Sequence, residues 1–83
     1  MHSNPPLVPT ACYICEYPAS IEPGRNSYLV DCDHCGVRYE MDLTAWTTPV
    51  HNRSGVLAWV QQQKAGGHEW PYITKQDLER AGG

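Results

Sequence analysis

Two cysteine pairs of identical spacing, Cys12-Tyr13-Ile14-Cys15 and Cys32-Asp33-His34-Cys35, stand sixteen residues apart in the first half of the chain. Such spacing reads as a zinc site. Each pair brings two thiolates onto one tight turn, and two such turns facing each other supply the tetrahedral four-sulfur shell that zinc prefers. Cys12, Cys15, Cys32 and Cys35 are therefore the expected ligands of one zinc ion. A shell filled by protein leaves no position for the water or substrate that catalytic zinc needs, so the metal is expected to be structural.

An 83-residue chain sits near the size at which a lone hydrophobic core leaves stability marginal and a staple becomes useful. Metal and disulfide are the two ways four cysteines can serve. The start of the chain, Met1-His2-Ser3-Asn4-Pro5-Pro6, has no basic then apolar leader, and the longest apolar run, Val56 to Val60, is too short to cross a bilayer. A cytoplasmic location is expected, where reducing conditions favour thiolates on metal. The formal charge of −3 becomes −5 once four thiolates hold a divalent ion. Only Arg25, Arg38, Arg53, Lys64, Lys75 and Arg80 are basic, and they form no run. Nucleic-acid backbones and anionic membranes are thereby disfavoured as partners.

The expected fold class is small α+β: a two- or three-stranded antiparallel sheet around the metal, followed by two short helices. Positions 1–9, with three prolines, read as a flexible arm, 10–43 as the metal-bearing unit, and 44–83 as a helical segment packed on or beside it. Alternation over Asn26 to Cys32 and Val37 to Leu43 predicts a hairpin, with Tyr28 and Val30 on one face and Leu29 and Asp31 on the other. Gly36 follows Cys35 where a left-handed residue lets backbone N–H groups point at sulfur; Glu16 holds the matching place in the first turn. Pro18, Pro23 and Gly24 predict a loop with its tip at 21–26.

Period 3.6 begins after Pro49. A helix is expected from about Gly55 to Ala65, with Ser54 as N-cap, Val56, Trp59, Val60 and Gln63 on one face, and Gly66-Gly67 as the stop. Thr74 and Asp77 form an acidic variant of the capping box for a second helix, with Ile73 and Leu78 placed as a hydrophobic staple. The Gly82-Gly83 end is expected to fray.

His34 reads as a solvent-side or second-layer residue, since four cysteines already fill the shell. In a chain without Phe, Trp59 and Trp70 are expected in the core, and Trp46 is expected to seal the sheet against the helix. The segment from Gly66 to Tyr72 could instead serve as a recognition loop. No nucleophile and base pair and no phosphate-cradling glycine loop stands out, so an enzyme is not expected.

At the level of Cys12 to Met41 the chain resembles the zinc-ribbon family, in which two cysteine knuckles clamp a small antiparallel sheet around one zinc. It departs in the first knuckle, where Cys-Tyr-Ile-Cys-Glu stands in place of the frequent Cys-Pro-x-Cys-Gly. The series Leu57, Trp59, Gly67, Pro71, Ile73, Thr74 and Leu78 further resembles bacterial proteins, some of them in phage defence, that carry such a ribbon as an N-terminal accessory to a larger domain. The resemblance implies an interaction or accessory module that binds another protein or a fused effector domain, with Arg25, Arg38, His68, Trp70 and Tyr72 as the candidate surface. The alternative is a nucleic-acid-binding ribbon using Tyr28, Tyr39, Arg38 and Arg25. A third reading is a rubredoxin-like electron carrier with iron on the four sulfurs.

Overall fold

Alternating side chains on either side of the second cysteine pair close a hairpin, and the rest of the chain is arranged around it. The structure, a computed structural model, describes residues 8–82. Strands β1 (Ser20–Pro23), β2 (Ser27–Cys32) and β3 (Val37–Asp42) form an antiparallel meander. A short helix α1 (Leu43–Trp46) follows, then α2 (Arg53–Ala65), strand β4 (Tyr72–Ile73) and helix α3 (Lys75–Gly82). The four-stranded sheet has the order β1-β2-β3-β4, and β4 runs parallel to β3. The α+β class is as expected, but the sheet has four strands where two or three were expected, and the parallel β4 makes it mixed rather than antiparallel.

β1 occupies part of the segment expected as a loop tip, leaving residues 24–26 as the turn. Ile21 pairs with Val30 across the ladder, and Pro23 ends an edge strand, where its missing N–H is tolerated. The Gly24 N–H donates to the Ser27 carbonyl at 2.7 Å and closes the turn. β4 replaces the end of the expected recognition loop. The Glu40 N–H donates to the Pro71 carbonyl at 2.9 Å, drawing the chain onto the free edge of β3.

One face of the sheet carries the core. Val30, Cys32, Val37, Tyr39, Met41 and Ile73 point into it and meet Val56 and Val60 of α2, Ala45 of α1 and Leu78 of α3. The largest fully buried side chain is Tyr39, not a tryptophan. Trp59 and Trp46 pack half-buried against this core, while Trp70, expected inside, is 38% exposed on the opposite face. With Tyr39, Met41, Ile73 and Leu78 already filling the space under the sheet, the strand direction of β4 turns Trp70 outward.

Helix α2 starts two residues earlier than expected. Its N-cap is Asn52, whose Oδ1 accepts the Gly55 N–H at 2.9 Å, and Ser54 lies inside the first turn. The Gly66-Gly67 stop holds, with Gly67 left-handed at φ 101°. At α3 the Asp77 carboxylate accepts the Thr74 N–H at 3.1 Å while the Thr74 hydroxyl accepts the Asp77 N–H at 3.3 Å, the expected reciprocal cap. Ile73 and Leu78 are both buried, as a staple requires.

Gly82 does not fray. Its carbonyl accepts the N–H groups of His51 and Asn52 at 3.2 and 3.0 Å, so the end of α3 is fastened to the start of α2; Gly83 lies outside the described residues. The two helices approach so closely that a Cβ on Gly55 would run into the Ala81 carbonyl and one on Gly82 into Val50 and Val56. Gly55→Ala is therefore expected to destabilise the metal-loaded protein by about 1–3 kcal/mol, although alanine is the better helix former. A thermal midpoint equal to that of the parent chain would show that α2 and α3 do not meet at this distance.

Candidate functional site

The two knuckles repeat one backbone turn. In the first, the Glu16 N–H donates to the Cys12 carbonyl at 2.9 Å; in the second, the Gly36 N–H donates to the Cys32 carbonyl at 2.9 Å. Gly36 and Glu16 both close their turns in left-handed conformation, at φ 73° and φ 65°. The sequence offers glycine for this role only once, and Glu16 adopts it at a cost that an L side chain normally avoids. The Glu16 carboxylate lies 3.6 Å from Arg53 Nε, in an exposed ion pair.

The four sulfurs converge. All of them lie within 4.8 Å of one another, with Cys15 to Cys32 at 3.4 Å and Cys12 to Cys35 at 3.8 Å. Zinc–sulfur bonds of about 2.3 Å in a tetrahedron place the sulfurs about 3.8 Å apart, so this donor set fits one metal ion of that kind. Without a cation, four sulfurs this close cannot all ionise. Burial raises the Cys15 thiol, but hydrogen bonds with Cys35, the Tyr17 backbone, Cys32 and His34 outweigh it and bring that thiol down to about 6. Burial and the bond to Cys15 push the Cys35 thiol up. A divalent ion removes the conflict by taking all four as thiolates.

The knuckles are buried differently. Tyr13 and Ile14, the middle of the first pair, point into the core, whereas Asp33 and His34, the middle of the second, face solvent. Tyr13 is clamped by several neighbours. Its hydroxyl donates to the Thr48 carbonyl, its carbonyl accepts from Arg53, the Arg53 guanidinium lies 5.3 Å from its ring, and Trp46 meets it edge-on at 5.5 Å. Trp46 also meets Tyr28 edge-on at 5.2 Å, joining the sheet to the segment after it. On the solvent side, His34 stacks on Tyr17 with ring centroids 3.6 Å apart, so one residue from each knuckle bridges the two beside the half-exposed Cys15 and Cys35. His34 thus sits beside the four sulfurs without joining them.

Beneath the buried sulfurs stands a residue the sequence reading put to another use. The Tyr39 hydroxyl lies 3.0 Å from Cys12 Sγ and accepts the Tyr13 N–H at 3.1 Å. Burial, with the Cys12 sulfur beside it, pushes this phenol up, so it keeps its proton. Once Cys12 is a thiolate, Tyr39 is the donor of the pair. The Cys35 N–H adds a backbone donor to Cys32 Sγ at 3.4 Å. The alternation Val37, Tyr39, Met41 along β3 was the available signal, because it sets Tyr39 on the same face as two apolar residues.

The remaining candidates separate. Arg38 and Trp70 meet on the outer sheet face, with the guanidinium 5.7 Å from the indole ring and bound to Asp31 and Glu69 at 3.4 and 3.2 Å. Tyr72 shares that face through its register with Glu40, and its hydroxyl lies 3.4 Å from Asp42. Slight burial and the Asp42 and Glu40 carboxylates push its phenol up. Arg25 sits in the β1–β2 turn, and His68 closes the end of α2 by donating its N–H to the Gln63 carbonyl at 3.1 Å. The grouping of Tyr28, Tyr39, Arg38 and Arg25 on one surface is overturned. Tyr39 is fully buried on the core face, while Arg38 is on the other side of the same strand and already paired with carboxylates.

Comparison of the chain with protein-family models, with curated proteins and with solved structures found no match.

Two substitutions probe the centre. Tyr39→Phe, which removes one hydroxyl and keeps the ring, is expected to weaken metal binding about 10-fold or more in a competition titration with a chromophoric chelator. Equal affinity would mean that the phenol does not support Cys12. Glu16→Gly is expected to stabilise the loaded protein by about 1 kcal/mol, because relief of the left-handed side chain exceeds the worth of its exposed ion pair with Arg53. A lower unfolding midpoint would reverse that ranking.

Proposed function

We propose that the chain is a zinc-ribbon module whose single zinc is structural and whose work is to present the outer face of its sheet to another protein or to a fused effector domain. Zinc is favoured among metals by the all-sulfur, tetrahedral and closed donor set. Such a shell leaves no open position for chemistry, which supports a binding role over a catalytic one.

One observation carries the choice of surface. The sheet is covered by α1, α2 and α3 on its core face, while Trp70, at 38% exposure, and Tyr72, at 47%, stand on the other. Large aromatics left at a surface cost hydration and are enriched where partners dock. The accessory role resembles that of bacterial proteins in which a ribbon precedes a larger domain. Nucleic acid is the weaker reading, since the outer face sets Glu22, Asp31, Glu40, Asp42 and Glu69 around Arg38.

The test begins with metal. Native mass spectrometry is expected to find one zinc per chain, and its removal by a chelator is expected to unfold at least residues 12–43. The double variant Trp70→Ala with Tyr72→Ala is expected to keep its zinc and its fold while losing capture of the native partner. Undiminished capture would move the surface elsewhere. Fluorescence anisotropy with labelled DNA and RNA is expected to show no tight, salt-dependent binding, and the opposite result would promote the nucleic-acid reading.

A further inference from the structure

The outer sheet face also indicates what kind of partner it suits. Its residues alternate with the buried ones: Ser20 and Glu22 on β1, Leu29 and Asp31 on β2, Arg38, Glu40 and Asp42 on β3, and Tyr72 on β4. Trp70 and Glu69 rise beside them. Between Leu29 and Trp70 lies a groove of about 220 Å³, whose other lining residues are Ser20, Glu22 and Asp31. It has apolar walls and carboxylates at its edge.

The molecule already displays one way of filling such a place. The Arg38 guanidinium lies over the Trp70 ring and is held by a carboxylate on either side, Asp31 and Glu69. This satisfies one cation, but the face still carries Glu22, Glu40 and Asp42. Ser27 donates to Glu40 at 2.6 Å and Tyr72 to Asp42 at 3.4 Å, and both of these donors are neutral hydroxyls. Glu22 is exposed at the mouth of the groove. Five carboxylates share this face with Arg38, and Lys64 reaches only its hairpin end beside Asp31 and Glu69, so on a chain that is acidic overall the groove side by Glu22 is complementary to positive charge.

We infer that this groove takes a lysine or arginine side chain from a basic peptide segment of the partner. The methylene stem would lie between Leu29 and Trp70, and the charged head would reach Glu22 and the free oxygen of Asp31. The stem removes apolar wall from water, while the head meets carboxylates that are still solvated in the free protein. A cation beside Trp70 with carboxylates near its head would resemble the setting Arg38 already has. This inference rests on the reading of the outer face as a docking surface, and names its occupant.

The test uses the full zinc-loaded chain, labelled with 15N, and three peptides of equal length: lysine- and arginine-rich, glutamate-rich, and glycine- and serine-rich. Only the basic peptide is expected to shift amide resonances, those of residues 20–31, 38–42 and 69–72, with binding that weakens as salt is raised. Trp70→Ala and the charge reversal Glu22→Lys are each expected to weaken it about tenfold, while Glu79→Gln, on the exposed side of α3, leaves it unchanged. Equal weakening by Glu79→Gln would reduce the effect to net charge and overturn the groove. Shifts on the same face produced by the glutamate-rich or the glycine- and serine-rich peptide would overturn the basic occupant while leaving the docking face in place. Shifts from the basic peptide confined to other elements, or none at low salt, would also overturn the proposal; the double aromatic variant tests the docking face independently.

Discussion

Four sulfurs held within 4.8 Å of one another can all be thiolates only around a shared cation, and the two turns that gather them anchor the rest of the fold. Each knuckle presents its sulfurs by turning the backbone through a left-handed residue, and each is then tied to different surroundings. The first sinks Tyr13 and Ile14 into the core, so its position depends on Thr48, Arg53 and Trp46 from the C-terminal half. The second is the tip of the β2–β3 hairpin and faces solvent. Tyr39 joins the two arrangements, because its ring belongs to the core and its hydroxyl to the sulfur of Cys12. The cysteine cluster and the packed core are in this way one contiguous interior, shared by the sheet and the helices.

What could be read from the chain beforehand was what depends on near neighbours in sequence. The cysteine spacing, the β2–β3 hairpin, the glycine stop of α2 and the Thr74–Asp77 cap each require only a few consecutive residues, and each is found where expected. The errors lie where distant segments decide. β4 consists of two residues and exists because Pro71 meets Glu40 from a remote part of the chain. Trp70 is outside because the space under the sheet is already filled. Gly82 is ordered by amides some thirty positions earlier, and Asn52 rather than Ser54 caps α2 because both residue types cap well and the approach of α3 sets the start. One cue was available and passed over: the apolar middle of the first pair against the polar middle of the second foretold which knuckle would be buried.

The two faces of the sheet divide the labour. The inner face is apolar and closed by helices, and the four cysteines gather at its end. The outer face is charged, carries aromatics, and is covered by no helix among the described residues. Because the strands are shared, a residue and its successor can serve opposite ends: Arg38 belongs to the surface and Tyr39 to the sulfur shell. The strand register that gathers the cysteines thereby also sets the spacing of the outer carboxylates.

The parallel strand β4 has a consequence for life in a crowded solution. A bare hairpin ribbon leaves two rows of unpaired backbone donors and acceptors, which invite other chains to add strands. Here β4 covers one margin of the sheet, and the other is β1, four residues long, ended by Pro23 and bearing Glu22. Neither margin offers a long, uncharged template. A protein with so small an interior can therefore keep one broad face available without its sheet growing into a polymer, and contact is directed to side chains on the face rather than to backbone at the rim.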